Sequence, residues 1–178
     1  MTATINGCES APTLVNVVVN GTPVISSVGS NSPVCEGDDL NLTASSSPGA
    51  SYNWSGPNSF SSTNQNPTIS PVTLAATGQY SVYAIENGCQ SQPATTDVVI
   101  NALPPLPVLG NNGPLCQGET LLLSAVAVSA GDIYDWSGPD GFVSNLQNPS
   151  IPNVTPANDG TYSMAITING CTGPTAST

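Results

Sequence analysis

Leu40, Leu42 and Ala44 alternate with Asn41 and Thr43, and the same spacing returns at Leu121, Leu123 and Ala125. A period of two puts one side of each segment against a core and predicts a half-buried β-strand. Tyr52 and Trp54 are also two apart, so they share one face of another predicted strand. Val98-Val99-Ile100 and Val17-Val18-Val19 are β-branched runs suited to strands. No segment sustains a helical period, and 17 Gly and 17 Pro punctuate the chain. Asn-Gly pairs at 6–7, 87–88 and 169–170 have the chemistry of type I′ hairpin turns, which need positive φ. About seven short strands in about 80 residues predict a β-sandwich.

The pattern repeats. Pro33-Val34-Cys35-Glu36-Gly37 returns as Pro114-Leu115-Cys116-Gln117-Gly118, and Tyr52-Asn53-Trp54-Ser55-Gly56-Pro57 as Tyr134-Asp135-Trp136-Ser137-Gly138-Pro139. Gln65-Asn66-Pro67 returns as Gln147-Asn148-Pro149, and Asn87-Gly88-Cys89 as Asn169-Gly170-Cys171. The offset is 81 residues up to the second cysteine motif and 82 from Tyr134 onward, so the second copy carries one inserted residue. Residues 1–8 match residues 164–171 at six of eight positions. The expected organisation is therefore the last strands of a preceding repeat in 1–21, a complete repeat in 22–102 and a repeat lacking its final strand in 103–178. On this reading the chain is a window of a longer array, with Asn20-Gly21-Thr22-Pro23 and the Pro-rich stretch 102–107 as stiff linkers. If so, Val17, Val18 and Val19 belong against a sandwich edge, supplied either by the continuing polypeptide or by strand addition between copies.

Composition then narrows the function. Charged residues are 6% of the chain, against roughly 25% in ordinary domains, and Lys, Arg and His are absent while Asp and Glu number 11. Such a chain repels phosphate backbones and anionic membranes, which excludes nucleic acid as a partner. With no His or Lys it has no ordinary general base, and with no Arg or Lys it has no phosphate clamp, so an enzyme is not expected. No run of about 18 apolar residues is available for membrane insertion. Trypsin-like proteases find no cleavage site; selection in a protease-rich setting and lineage-wide compositional bias account for this equally well.

Three features resemble the immunoglobulin superfold: core Trp54 and Trp136 on a third strand, and Asp159-Gly160-Thr161-Tyr162 at a tyrosine corner, matched by Thr77-Gly78-Gln79-Tyr80. The layout Cys-x-Gly, Tyr-x-Trp-Ser-Gly-Pro, Gly-x-Tyr, Asn-Gly-Cys resembles the immunoglobulin-like or PKD-like tandem repeats of giant cell-surface adhesins of Bacteroidota-type bacteria. The resemblance implies an all-β fold of tandem immunoglobulin-like antiparallel sandwiches in an extracellular, cell-surface or secreted filament. One departure stands out: Cys89 lies nine residues after Tyr80, whereas the antibody pattern places the cysteine two after.

The regular spacing of Cys8, Cys35, Cys89, Cys116 and Cys171 argues for disulfides rather than zinc, which takes clustered pairs. Two pairings are open. One joins Cys35 to Cys89 and Cys116 to Cys171 within each repeat. The other crosses the junction, joins Cys35 to Cys171 and leaves Cys8, Cys89 and Cys116 for neighbouring repeats. Immunoglobulin strand order favours the second, because it puts the two cysteines of one repeat at opposite ends of a strand about 20 Å long.

Glu36, Asp38 and Asp39 form a dense acidic cluster, a calcium candidate against the plainer reading of a solvated loop; Asp132, Asp135 and Asp140 are scattered. Trp54, Trp136, Tyr80 and Tyr162 recur in register, which marks core rather than a sugar-stacking face. The function expected is a stalk or filament segment of a secreted bacterial surface adhesin, its partners being neighbouring repeats or copies of itself end to end and an unknown extracellular ligand. The alternatives are a module binding glycan or protein, and a tether of a larger secreted enzyme.

Overall fold

Each Asn-Gly pair turns the chain as its chemistry requires. Both residues have positive φ at all three sites, between 49° and 81°, and each pair closes a tight hairpin. The computed structural model describes residues 1–126 and 133–178; Asp132 lies outside the described residues. The first hairpin pairs β1 (Thr4–Ile5) with β2 (Cys8–Glu9). The first sandwich then contains β3 (Ile25–Ser30), β4 (Val34–Cys35), β5 (Leu40–Ser46), β6 (Ser51–Gly56), β7 (Phe60–Ser62), β8 (Thr68–Ile69), β9 (Gly78–Glu86), β10 (Cys89–Gln90), β11 (Ala94–Val98) and β12 (Ile100–Asn101). The second contains β13 (Leu109–Asn111), β14 (Leu121–Ala125), β15 (Ile133–Ser137), β16 (Val143–Ser144), β17 (Ser150–Ile151), β18 (Ser163–Ile168), β19 (Cys171–Thr172) and β20 (Ala176–Ser177).

In the first sandwich β3, β5 and β8 form one antiparallel sheet, and β7, β6 and β9 with β10 and β11 form the other. A short parallel pair, β4 with β12, closes one end. The second sandwich repeats this plan with β13, β14 and β17 against β16, β15, β18, β19 and β20. The alternating residues meet between the sheets: Leu40, Leu42, Trp54, Tyr80 and Val82 in one core, Leu121, Leu123, Trp136, Tyr162 and Met164 in the other. Val82 and Met164 stand two residues after the corner tyrosines, where antibody domains carry a core cysteine; apolar side chains fill that place instead. Among the described residues no helix is long and apolar enough to cross a membrane.

The repeated motifs have packing explanations. A Cβ on Gly56 would sit 2.4 Å from the Tyr80 ring, and one on Gly138 2.4 Å from the Tyr162 ring. The glycine of Trp-Ser-Gly-Pro is thus the floor on which the corner tyrosine lies, and Phe60 and Phe142 meet the same rings edge-on at 5.5 and 5.6 Å. Gln-Asn-Pro has a different task. β8 pairs β5 only at Leu40 and Asn41, so the buried Ala44 has no strand on that side. Gln65 Nε2 donates to the Ala44 carbonyl at 2.8 Å and Asn66 Oδ1 accepts from its N–H at 3.0 Å. Gln147 and Asn148 do the same for Ala125 at 2.8 and 3.0 Å. Asn66→Ala leaves a buried N–H without a partner and should cost about 1–3 kcal/mol, read as a shift in the urea midpoint.

Two expectations need correction. Val17-Val18-Val19 forms no strand within this chain: β propensity expresses itself only where a neighbour offers backbone partners, and residues 14–20 have no strand beside them. Nor is the last strand of the second sandwich wholly missing. Ala176–Ser177 pairs with Ser163 and Met164 in the register that Ala94 and Thr95 keep with Ser81 and Val82. Thr178 continues it through two backbone hydrogen bonds with Tyr162, at 2.9 and 3.1 Å.

Candidate functional site

The tyrosine corners are structural. Tyr80 donates its hydroxyl hydrogen to the Ala76 carbonyl and Tyr162 to that of Asn158, both at 2.9 Å. Burial raises both phenol pKa values above the ordinary 10.0, and the Asp140 and Asp159 carboxylates add to the rise at Tyr162. A group whose folded pKa is raised stabilises below its unfolded pKa and loses that contribution as pH climbs. Stability should therefore hold below about pH 10 and fall above it, with Tyr80→Phe and Tyr162→Phe flattening the alkaline limb followed by tryptophan fluorescence.

The acidic cluster is a turn. Asp38 Oδ2 accepts the Cys35 N–H at 3.4 Å, and Glu119 Oε2 accepts the Cys116 N–H in the second copy. Among the described residues no group of three or more Cys, Asp or Glu is placed to hold a metal ion, so Glu36, Asp38 and Asp39 do not converge. No catalytic constellation is assembled there either. With no His, Lys or Arg in the sequence, the reactive chemistry of this chain is that of its cysteines.

Those cysteines define the site. Cys35, on β4 at one end of the first sandwich, is bonded to Cys171, just past the Asn169-Gly170 turn of the second, with their Cα atoms 5.6 Å apart. Of the two pairings, the structure holds the one that crosses the junction. Asn101, the parallel partner of Cys35 on β12, donates from Nδ2 to the Asn169 carbonyl at 3.2 Å. The linker packs as well: a Cβ on Gly173 would lie 2.7 Å from the Pro104 carbonyl oxygen. Cys8, Cys89 and Cys116 are free thiols.

Sequence reasoning missed the asparagine contact. Its signal was present, because Asn20 and Asn101 occupy equivalent positions of successive repeats, as do Asn87 and Asn169. The structure uses both pairs alike: Asn20 Nδ2 donates to the Asn87 carbonyl at 3.2 Å, with Cys89 Sγ 3.9 Å from the Asn20 carbonyl.

Comparison with known proteins agrees with this architecture. Residues 22–102 match the family model described as an Ig-like domain, CHU_C associated. The chain also resembles the crystal structure of the N-terminal eight Ig domains of Down Syndrome Cell Adhesion Molecule isoform 1.30.30, with a TM-score of 0.61 at 17% identity, over 89% of this chain and 27% of that one. A chain of the mouse coronavirus receptor-binding domain complexed with its murine receptor aligns with a TM-score of 0.50 at 12% identity, over 84% of this chain and 96% of that one. No curated protein sequence matches. At these identities the structural likeness establishes the fold: two immunoglobulin-like sandwiches in tandem, bridged by a disulfide.

Proposed function

We propose that this chain is a structural segment of the stalk or filament of a secreted bacterial surface adhesin. Its units are the tail of a repeat in 1–21, a repeat in 22–102 and a further repeat in 103–178. The observation that carries the reading is the Cys35–Cys171 bridge. A disulfide inside each sandwich would stabilise that sandwich alone. One that spans the junction fixes the joint between sandwiches, which serves a chain that must hold its length. A stable disulfide also suits an extracellular setting. The motifs shared by the two copies support the same reading: Trp-Ser-Gly-Pro, Gln-Asn-Pro and the tyrosine corner all have packing tasks, so repetition here preserves a scaffold. Among the described residues neither loop set gathers a cluster of residues that breaks the repeat.

The test sets two readouts side by side. Against immobilised glycans and extracellular proteins the chain should show no saturable binding. Stretched between its ends it should resist extension in a way that depends on the disulfide. Saturable binding to one glycan or protein, abolished by substitutions in a single loop, would favour a ligand-binding module and overturn the proposal.

A further inference from the structure

The two sandwiches share their cores but not their surfaces. Ser27, Asn41, Ser45, Ser51, Ser61 and Asn64 are exposed on the first. Their counterparts on the second are Val108, Leu122, Val126, Ile133, Val143 and Leu146, every one of them more than half exposed. Apolar side chains scattered singly over a surface need no explanation, but three of these fall together. Val108, Leu122 and Val126 are 67%, 52% and 61% exposed on the outer face of the sheet formed by β13, β14 and β17. Val108 continues β13 by one residue, its carbonyl accepting the Val126 N–H at 3.1 Å. The face is open for a reason internal to the repeat. Ser27, Asn41 and Ser45 are also exposed on the first sandwich, which has chain on both sides of it.

The outward residues of this face fall into three cross-strand rows. Val108 stands beside Val126, Gly110 beside Ser124, and Leu122 beside Ser150. A shallow row of small residues therefore lies between two bulkier ones. A second copy related by a two-fold axis can lay its Leu122 row along the Gly110–Ser124 row and receive the same contact in return, which is the self-complementarity that a two-fold interface requires. Charge favours the same partner. The chain has a net charge of -11 and no Lys, Arg or His, so two copies repel wherever carboxylates face each other. None of these six residues is charged. Glu119, Asp140 and Asp159 stand in connections between strands, and Asp135 is on β15 of the other sheet. A cationic partner would be drawn to those carboxylates, whereas this face meets a copy of itself with the least repulsion.

We propose that this face is a lateral contact between two copies of the chain, the outer sheets of two second sandwiches packing against each other across Val108, Leu122 and Val126. The contact runs along the side of a sandwich, so it goes beyond the stalk reading and depends neither on it nor on the joint between sandwiches. An interface that holds by itself takes about 20–30 residues a side, and this face offers far fewer. A single pair of copies therefore associates weakly, while copies already held side by side on one surface gain from many such contacts at once. The first sandwich, with Ser27, Asn41 and Ser45 in these places, takes no part.

The test is sedimentation equilibrium on the whole chain, with the thiols of Cys8, Cys89 and Cys116 alkylated and the Cys35–Cys171 bridge intact. The weight-average mass should climb from one copy towards two as the concentration rises from about 10 µM to about 1 mM. Raising sodium chloride from about 0.02 M to about 0.5 M should strengthen the association, because salt screens the repulsion between like-charged copies and leaves the apolar contact in place. The triple variant Val108→Ser, Leu122→Asn and Val126→Ser installs the residues that the first sandwich already carries at these positions. It should fold as wild type by circular dichroism and stay monomeric at every concentration. Val143→Ser, the same kind of change on the other sheet, should leave the association unaltered. A wild-type chain still monomeric at about 1 mM, an association that weakens with salt, a triple variant that associates as wild type does, or a Val143→Ser chain that loses association would each overturn the inference.

Discussion

Trp54→Ala should lower the stability of the first sandwich by about 3–5 kcal/mol, the cost of emptying a fully packed aromatic site. Trp54 is wholly buried among Leu40, Leu42, Tyr80 and Val82, and its indole N–H donates to the Gln65 carbonyl at 3.2 Å. The variant therefore loses core volume and orphans a carbonyl of the Gln-Asn-Pro segment that holds Ala44. Trp136→Ala should cost the second sandwich a similar amount. The two sites differ in one respect, which sharpens the test. Among the described residues the Trp136 indole N–H has no hydrogen-bond partner, so Trp136→Phe gives up packing alone while Trp54→Phe also gives up a hydrogen bond of about 1 kcal/mol. With two tryptophans in the chain, each variant leaves the other as a fluorescent reporter of the untouched sandwich. Urea titrations should show the mutated half, followed by circular dichroism, melting ahead of the reporter. A Trp54→Ala chain that melts as wild type would show that the cores do not rest on these residues.

Much of this fold was legible in the residues because short-range chemistry decides it. Leu40, Leu42 and Ala44 point inward for want of any other way to bury a period-two stripe. The Asn-Gly pairs turn because they tolerate positive φ. Tyr80 and Tyr162 were recognisable through the glycine two residues before each. Apart from the Cys35–Cys171 pairing, which immunoglobulin strand order already favoured, what could not be read was what the approach of distant segments sets. The valine run 17–19 and its counterpart 98–100 have nearly the same sequence, yet only the latter has a sandwich beside it. The acidic residues near Cys35 left calcium open beside the plainer reading of a solvated loop, and the hydrogen bond from the Cys35 N–H to Asp38, which serves the backbone of its own turn, was not foreseen. The asparagine contacts across the two joints involve residues 67 and 68 positions apart and became visible only when the sandwiches were stacked.

Reduction of Cys35–Cys171 should lengthen the molecule under tension by about 480 Å, taking 136 residues at about 3.5 Å each. The reasoning follows the covalent path. A load applied at Met1 and Thr178 runs along the first 35 residues, crosses the disulfide and leaves through residues 171–178. Everything from β5 to β18, including Trp54, Tyr80, Trp136 and Tyr162, lies on a loop that carries no tension. Oxidised chains can surrender only β1, β2, β3, β4, β19 and β20 to the pull before the covalent path is taut. The same bridge closes a long loop in the unfolded chain, which by the chain-entropy account adds about 5 kcal/mol to equilibrium stability. Force–extension curves of single molecules, recorded before and after adding dithiothreitol, read the difference directly, and Cys35→Ser should behave as the reduced form from the start. Equal contour lengths in the two states would mean that the junction is not the element that bears the load.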